Sequence, residues 1–397
     1  MSGELNLRKE QVQQAAFEAW NKDRKNTCIL HTGLGKTFLM FKCIIASGAK
    51  QVLILFEANI REANIKADIT QYKKFYGVDP MKGRKVIYMC YQSAYKTDIR
   101  SIFPEGKIFL GLDECHEITG KARWEFIRNS NLSDVDVLAI TATLDKETIF
   151  EYDFGKSTKY DLINGIFPVC FTYNIESARQ DGTTRDLQIY IYNHRLDNHS
   201  RNIVAGTKFQ RWNTTEFAQN QHYNNEMRKW MFSRAENKEF VLRSIMSKRS
   251  QFLYNLPSKI EECKKLLSVL PGRTLVFANS SKALIALNIP AIVSENPNYL
   301  KDLEKFQKGK INQIGSNKIL LQGANLKDLD NIIFLSYYGK SKDAIQRAGR
   351  LRSSGGNLGK LVVFVTIGSQ EEKWFQSMME PMQNFRQTSI NNVLDCI

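Results

Sequence analysis

The stretch TCILHTGLGKTFLMF, residues 27–41, constrains this chain most. A short apolar strand runs into a glycine-containing turn and then an apolar helix. That order starts a crossover unit, whose next strand lies parallel to the first. Four more apolar runs follow, QVLILF (51–56), KVIYMC (85–90), IFLGLDE (108–114) and DVLAIT (136–141), with helical stretches between them. A second series comprises RTLVFAN (273–279), AIVS (291–294), NKILL (317–321), NIIFLSY (331–337) and LVVFVTI (361–367), with helices at 258–270 and 341–351. The pattern predicts an α/β chain with two parallel-sheet lobes, residues 1–178 and 179–397. At 397 residues each lobe has enough chain for its own core. Residues 197–257 break the rhythm. They are polar, aromatic and basic, with helical character from about 216, and predict a helical insertion at the start of the second lobe.

The turn after the first strand follows the phosphate-loop pattern G-x-x-x-x-G-K-[ST], except that Leu30 stands at the first glycine. Thr32, Gly33, Leu34 and Gly35 can turn backbone N–H groups toward phosphate oxygens at a helix N-terminus. Lys36 can reach the β- and γ-phosphates, and the Thr37 hydroxyl suits a Mg²⁺ position. Gly33, two residues before Gly35, keeps the turn possible without the first glycine. In GLDECHE (111–117), Asp113 at a strand tip can hold Mg²⁺ and Glu114 can activate an attacking water. Cys115 and His116 lack the partner pair that a metal site would need. AITATL (139–144) ends another strand with small hydroxyl residues. In QRAGRLRSSGG (346–356), Gln346, Arg347, Arg350 and Arg352 crowd one short segment. Arginine is the group that stabilises charge on a transferred γ-phosphate.

A formal net charge of +15 favours a polyanionic partner. No apolar run approaches the ~18 residues of a membrane span. The N-terminus lacks the apolar core of a secretory signal. Seven scattered cysteines without a CxxC pair argue for a reducing, cytoplasmic compartment and against zinc or disulfides. The insertion carries ten Lys/Arg against five acidic residues, together with Trp212 and Trp230. Arg228 and Lys229 flank Trp230, and this triplet is expected to meet nucleic-acid phosphates and bases. Phe240, Phe252 and Tyr254 are expected to serve packing.

Taken together, these segments resemble superfamily 2 helicases and translocases, the DExH-box ATPases with two RecA-like lobes. The resemblance covers nearly the whole chain. LRKEQ (7–11) is similar to the Q motif, which implies that Gln11 reads adenine with support from Arg8. HTGLGKT is similar to motif I, DECH to motif II and TAT (141–143) to motif III. YQS, with Tyr91, Gln92 and Ser93, stands where a DNA-phosphate contact is implied. LVFANSS (275–281) resembles motif IV. LLQGANLKDLD (320–330) resembles motif V, implying that Gly323 and Asn325 couple ATP to nucleic acid. The arginine-rich segment resembles motif VI. DECHEITG and the second lobe are most similar to phage branch-migration helicases and related DNA translocases. The resemblance implies ATP and Mg²⁺ as cofactors, ATP bridging the lobes, and single-stranded, forked or branched DNA as partner, with a monomer expected.

Three departures bear on this. Motif Ia lacks its usual proline in FEANIREAN. Motif VI has Ser353 where an arginine is usual, with Arg352 one place early, so the second arginine finger stays open. Only six residues precede the Q motif, which leaves no room there for a further N-terminal DNA-binding domain. An RNA helicase shares every motif named. A duplex translocase that never separates strands, a passive nucleic-acid-binding module with a decayed ATPase, and a nucleotide kinase stay open as well. A kinase leaves the second lobe's motifs unexplained.

Overall fold

The computed structural model describes residues 2–31, 33–57, 60–152, 155–181, 187–206, 209–317, 329–338, 359–379, 382 and 385–397. They cluster into two units that divide near residue 185. The sheet of the first unit has six strands: β1 (Lys25–Leu30), β2 (Gln51–Phe56), β3 (Lys85–Cys90), β4 (Ile108–Asp113), β5 (Val135–Thr141) and β8 (Val169–Tyr173). They lie in the order β3-β2-β4-β5-β1-β8, every pair parallel. A small antiparallel pair, β6 (Phe150–Tyr152) and β7 (Gly155–Ser157), lies between β5 and β8 in sequence.

The apolar runs are continuous because both faces of this sheet are covered. Val52, Ile54 and Phe56 face one core with Phe109, Leu138 and Ile140. Leu53 and Leu55 face the other with Leu110, Leu112, Val137 and Ala139. Helices α1 (Ser2–Asn21) and α2 (Lys36–Ser47) cover the first face through Ala16, Trp20, Leu39, Met40 and Ile44. Trp20 also donates from Nε1 to the Val137 carbonyl at 2.8 Å, which fixes α1 against β5.

The sheet of the second unit has seven strands: β9 (Leu187–His194), β12 (Thr274–Phe277), β13 (Ala291–Ile292), β14 (Gln313–Ser316), β15 (Asn331–Phe334), β16 (Gly359–Thr366) and β17 (Arg386–Ile390). Their order is β13-β14-β12-β15-β16-β9-β17, again parallel throughout. Three strands extend the predicted alternation: β8, β9 and β17. The strand expected at 317–321 is preceded by β14, and residues 318–321 lie outside the described residues. So does the helix expected at 341–351.

The insertion begins as a hairpin, β10 (Ile203–Gly206) with β11 (Arg211–Thr214), and continues as helices Glu216–Met231 and Lys238–Tyr254. Its base is tied into the second lobe. The buried Glu216 carboxylate accepts from the Asp197 N–H at 3.0 Å, the Ser258 N–H at 2.9 Å and the Ser258 hydroxyl at 2.5 Å. Ser258 Oγ lies 2.8 Å from His194 Nε2, and burial followed by the nearby Lys259 charge lowers the His194 pKa to about 3. Beside them Lys259 and Glu371, both without solvent exposure, pair at 2.7 Å, and Glu371 also accepts the Thr366 N–H at 3.0 Å.

Removing one partner of a fully buried ion pair leaves a charge with no compensation, at a cost of about 3–5 kcal/mol. Glu371→Ala is therefore expected to lower the urea midpoint of the second lobe strongly. Lys259→Met with Glu371→Leu should recover most of the loss in the same assay. A Glu371→Ala protein with an unchanged midpoint would show that the pair carries no such role.

Candidate nucleotide site

The C-terminal ends of β4, β5 and β1 lie side by side, with Asp113 opposite Ile140 and Thr141 opposite Ile29. In open parallel sheets this edge is where ligands bind. Leu30, at the place of the missing first glycine, is the last residue of β1 and fully buried, so it packs the core and does not turn the chain. The turning falls to Gly33 and Gly35, with φ of 99° and 77°. A Cβ on Gly35 would meet Gln13 Nε2 at 2.5 Å. Gln13 itself donates to the Leu34 carbonyl at 2.7 Å and so clamps the loop from α1.

Lys36 and Thr37 open α2. Lys36 Nζ reaches Glu114 Oε1 at 2.5 Å. Burial alone would raise the Glu114 pKa, yet the charges of Lys36 and His116, the Lys36 hydrogen bond and the Arg61 charge bring it down to about 2. Glu114 sits in the left-handed region at φ 53°, one of three such non-glycine residues among the described residues. Backbone of this kind costs about 1–3 kcal/mol and clusters at functional sites. Asp113, at the tip of β4, is 4% exposed. Arg61, on the first turn of α3 (Ile60–Tyr76), donates to Asp113 Oδ2 at 2.5 Å and to Thr37 Oγ1 at 2.8 Å.

The hydroxyl of Thr141 is the meeting point of three groups. It lies 3.3 Å from Glu114 Oε2, 2.8 Å from His116 Nδ1 and 3.0 Å from the Thr143 carbonyl. His116 in turn hydrogen-bonds Glu117, and this contact leads in lowering the Glu117 pKa to about 2 against burial, with Lys159 and Arg123 assisting. Cys115 and His116 thus pack behind the acidic pair. No metal cluster of His, Cys, Asp and Glu forms among the described residues.

Thr37 and Asp113 offer one hydroxyl and one carboxylate to a shared position that a cationic group already spans. That donor set fits Mg²⁺, which takes oxygen ligands. The structure thus brings together Gly33, Leu34, Gly35, Lys36, Thr37, Asp113 and Glu114. Gln11 is exposed on α1, and it is Gln13, two residues on, that faces the loop. Arg8 is exposed and hydrogen-bonds the Asp181 carbonyl. Tyr91, at the start of α4 (Tyr91–Ala94), is 2% exposed and donates its hydroxyl to the Asp113 carbonyl at 2.8 Å. It braces the acidic pair from behind, whereas Gln92 and Ser93 are exposed. Thr32, Gly323, Asn325, Gln346, Arg347, Arg350 and Arg352 lie outside the described residues.

In the insertion, Arg228 and Lys229 are exposed and Trp230 is half-buried. Tyr254 is buried, and Phe252 stacks near Tyr223 at 5.7 Å between ring centres, as expected of packing residues. Phe240 does not pack: it is 77% exposed. It lies on the first turn of the helix Lys238–Tyr254, away from the buried Leu253 and Tyr254 at the other end. Arg249 is buried against Asn224 and Gln370, so it is withdrawn from any surface role. No helix among the described residues is long and apolar enough to cross a membrane.

Residues 4–146 match the family described as type III restriction enzyme, res subunit. The chain is 22% identical over 380 residues to the DNA 3'-5' translocase XPB2 of Sulfurisphaera tokodaii, covering 90% of this chain and 82% of that one. Among solved structures it is similar to S. cerevisiae Dbp5 bound to RNA and ADP BeF3, with TM-score 0.61, 10% identity, and 96% of this chain against 89% of the other. It is also similar to the ATP-dependent type ISP restriction-modification enzyme LlaBIII bound to DNA, with TM-score 0.58, 15% identity, and 96% of this chain against 31% of that one. The two sheets thus share the fold of two RecA-like lobes.

Because the Glu114 pKa is lowered, its contribution to stability is fully present above its ordinary value of 4.5 and is lost as pH falls toward 2. Lys36→Met removes the main source of that shift. By calorimetry, the mutant should melt below wild type at neutral pH, with the gap narrowing as pH falls below 4.5. A gap independent of pH would show that the pair does not control the Glu114 carboxyl.

Proposed function

We propose that this chain is a superfamily 2 helicase or translocase that couples ATP hydrolysis to movement along, or remodelling of, DNA. The observation that carries this is the convergence of Lys36, Thr37, Asp113, Glu114 and Thr141 on one edge of three adjacent parallel strands. That set has a group for each task in phosphoryl transfer to water. Lys36, drawn away from Glu114, neutralises a γ-phosphate oxygen. The N–H groups of Gly33, Leu34 and Gly35 hold the phosphate chain. Thr37 and Asp113 would hold Mg²⁺, which would supply charge neutralisation to the phosphate chain. Glu114, once Lys36 has left, regains basicity and accepts a proton from the attacking water. Thr141, whose hydroxyl lies 3.3 Å from the second Glu114 oxygen, can orient the carboxylate.

Gln346, Arg347, Arg350 and Arg352 remain the proposed partners of developing γ-phosphate charge, Arg8 and Gln11 of the adenine, and Gly323 and Asn325 of the link to nucleic acid. Gln92, Ser93, Arg228, Lys229 and Trp230 are the proposed nucleic-acid contacts, with forked or branched DNA as substrate. DNA is preferred over RNA because the curated relative, named a DNA translocase, aligns along nine-tenths of this chain. The net charge of +15 suits either polymer.

ATP hydrolysis measured with single-stranded, duplex and forked DNA and with RNA tests the proposal. DNA is expected to stimulate more than RNA. Stronger stimulation by RNA would make the chain an RNA helicase, and no stimulation by either would remove the motor role. Lys36→Ala should abolish turnover. Glu114→Gln should still bind ATP while hydrolysing it about 10²–10⁴-fold more slowly.

The double variant Arg228→Ala/Lys229→Ala tests the insertion. Each lost phosphate contact should reduce the salt slope of duplex binding by about one unit, so the pair should reduce it by about two. Unchanged affinity and slope across a salt titration would leave the insertion as scaffold.

A further inference from the structure

Arg61 has no role in the phosphate-loop or acidic motifs, yet it is the group that joins them. Its side chain is only 16% exposed, and that of Asp113 only 6%. Nε donates to Asp113 Oδ2 at 2.5 Å, and Nη2 donates to Thr37 Oγ1 at 2.8 Å. One planar guanidinium thus satisfies a carboxylate at the end of β4 and a hydroxyl on the first turn of α2, which an ammonium could not do with the same fork geometry. A guanidinium stays protonated throughout the physiological range. Arg61 is therefore a permanent cation, held by its two hydrogen bonds on the same two oxygens that the Mg²⁺ position uses.

We propose that Arg61 is a tethered counter-cation for the metal position, which a divalent ion enters only by displacing it. This rests on the assignment of Thr37 and Asp113 to Mg²⁺. Two consequences follow from charge. With Arg61 in place Asp113 is already neutralised, so a bare divalent ion gains little by entering and has to break a charge-assisted pair. An ion that arrives with a nucleotide brings phosphate oxygens as additional ligands and can win the position. Arg61 thereby makes metal binding depend on nucleotide, and it keeps Asp113 from standing as a buried unpaired charge in the meantime.

Mn²⁺ is the probe. Its binding to the full chain without nucleotide can be read from the loss of the free-ion signal in electron paramagnetic resonance. Arg61→Gln is expected to bind Mn²⁺ about tenfold or more tightly than wild type, the scale of one charge-assisted hydrogen bond. Arg61→Lys should fall between the two, because it keeps the charge and loses the fork; it carries the test if the glutamine variant does not fold. The gain should vanish in Arg61→Gln/Asp113→Asn. Affinity in Arg61→Gln equal to or below wild type, with binding still lost on Asp113→Asn, would overturn the role of Arg61 and leave the metal assignment standing. A gain that survives Asp113→Asn would overturn both, since the ion would then be bound elsewhere.

Discussion

Two cations and two carboxylates share one edge of the first sheet, and the first lobe is arranged to keep them together. Arg61 pairs with Asp113 and Lys36 with Glu114, each at 2.5 Å. Charges this little exposed are tolerable only when neutralised in place. The strand order puts β5 between β4 and β1, so the acidic pair and the phosphate loop end one strand apart. Buried Tyr91 braces Asp113 from behind, Thr141 holds Glu114 from the side, and Gln13 clamps the loop. The strained φ of Glu114 persists because these neighbours determine it.

The same pairing restrains the chemistry. A carboxyl with a pKa of about 2 is a poor proton acceptor near neutral pH. Under the proposed function a γ-phosphate would compete for Lys36 and restore the carboxyl's basicity, so the pairing would tie activation of the site to its substrate. In the second lobe a different buried network, from Glu216 through Ser258 to His194 with Lys259 and Glu371 alongside, roots the insertion in the sheet while Phe232 and Phe240 stand outward at 85% and 77% exposure.

The sheets were legible because their strands are buried on both faces and read as unbroken apolar runs. The placement of the Gly33–Thr37 turn and of the Asp113–Glu114 pair was legible because each lies at the end of such a run. What was not legible depends on helix phase and on contacts far apart in sequence. Gln13, Ala16 and Trp20 recur at helical spacing and form the buried face of α1, a signal that favours Gln13 over Gln11 as the residue facing the loop. Arg61 carries no such mark, because its partners lie 24 and 52 residues away. The motif that holds Tyr91 implies a surface position, but as the first residue of a short helix after β3 its side chain turns inward. Strand β9, LQIYIYNH, has the alternation of a strand but sits beside the polar insertion, which hid it.

In the proposed function, substrate phosphate takes Lys36 from Glu114. Titration of the Glu114 carboxyl carbon by nuclear magnetic resonance, with and without Mg²⁺ and a non-hydrolysable ATP analogue, tests it most directly. A pKa near 2 in the protein alone, rising toward the ordinary 4.5 or above once the analogue is bound, is the expected result. A pKa that stays near 2 with the analogue bound would contradict it, since Lys36 would then remain on Glu114 with phosphate in place.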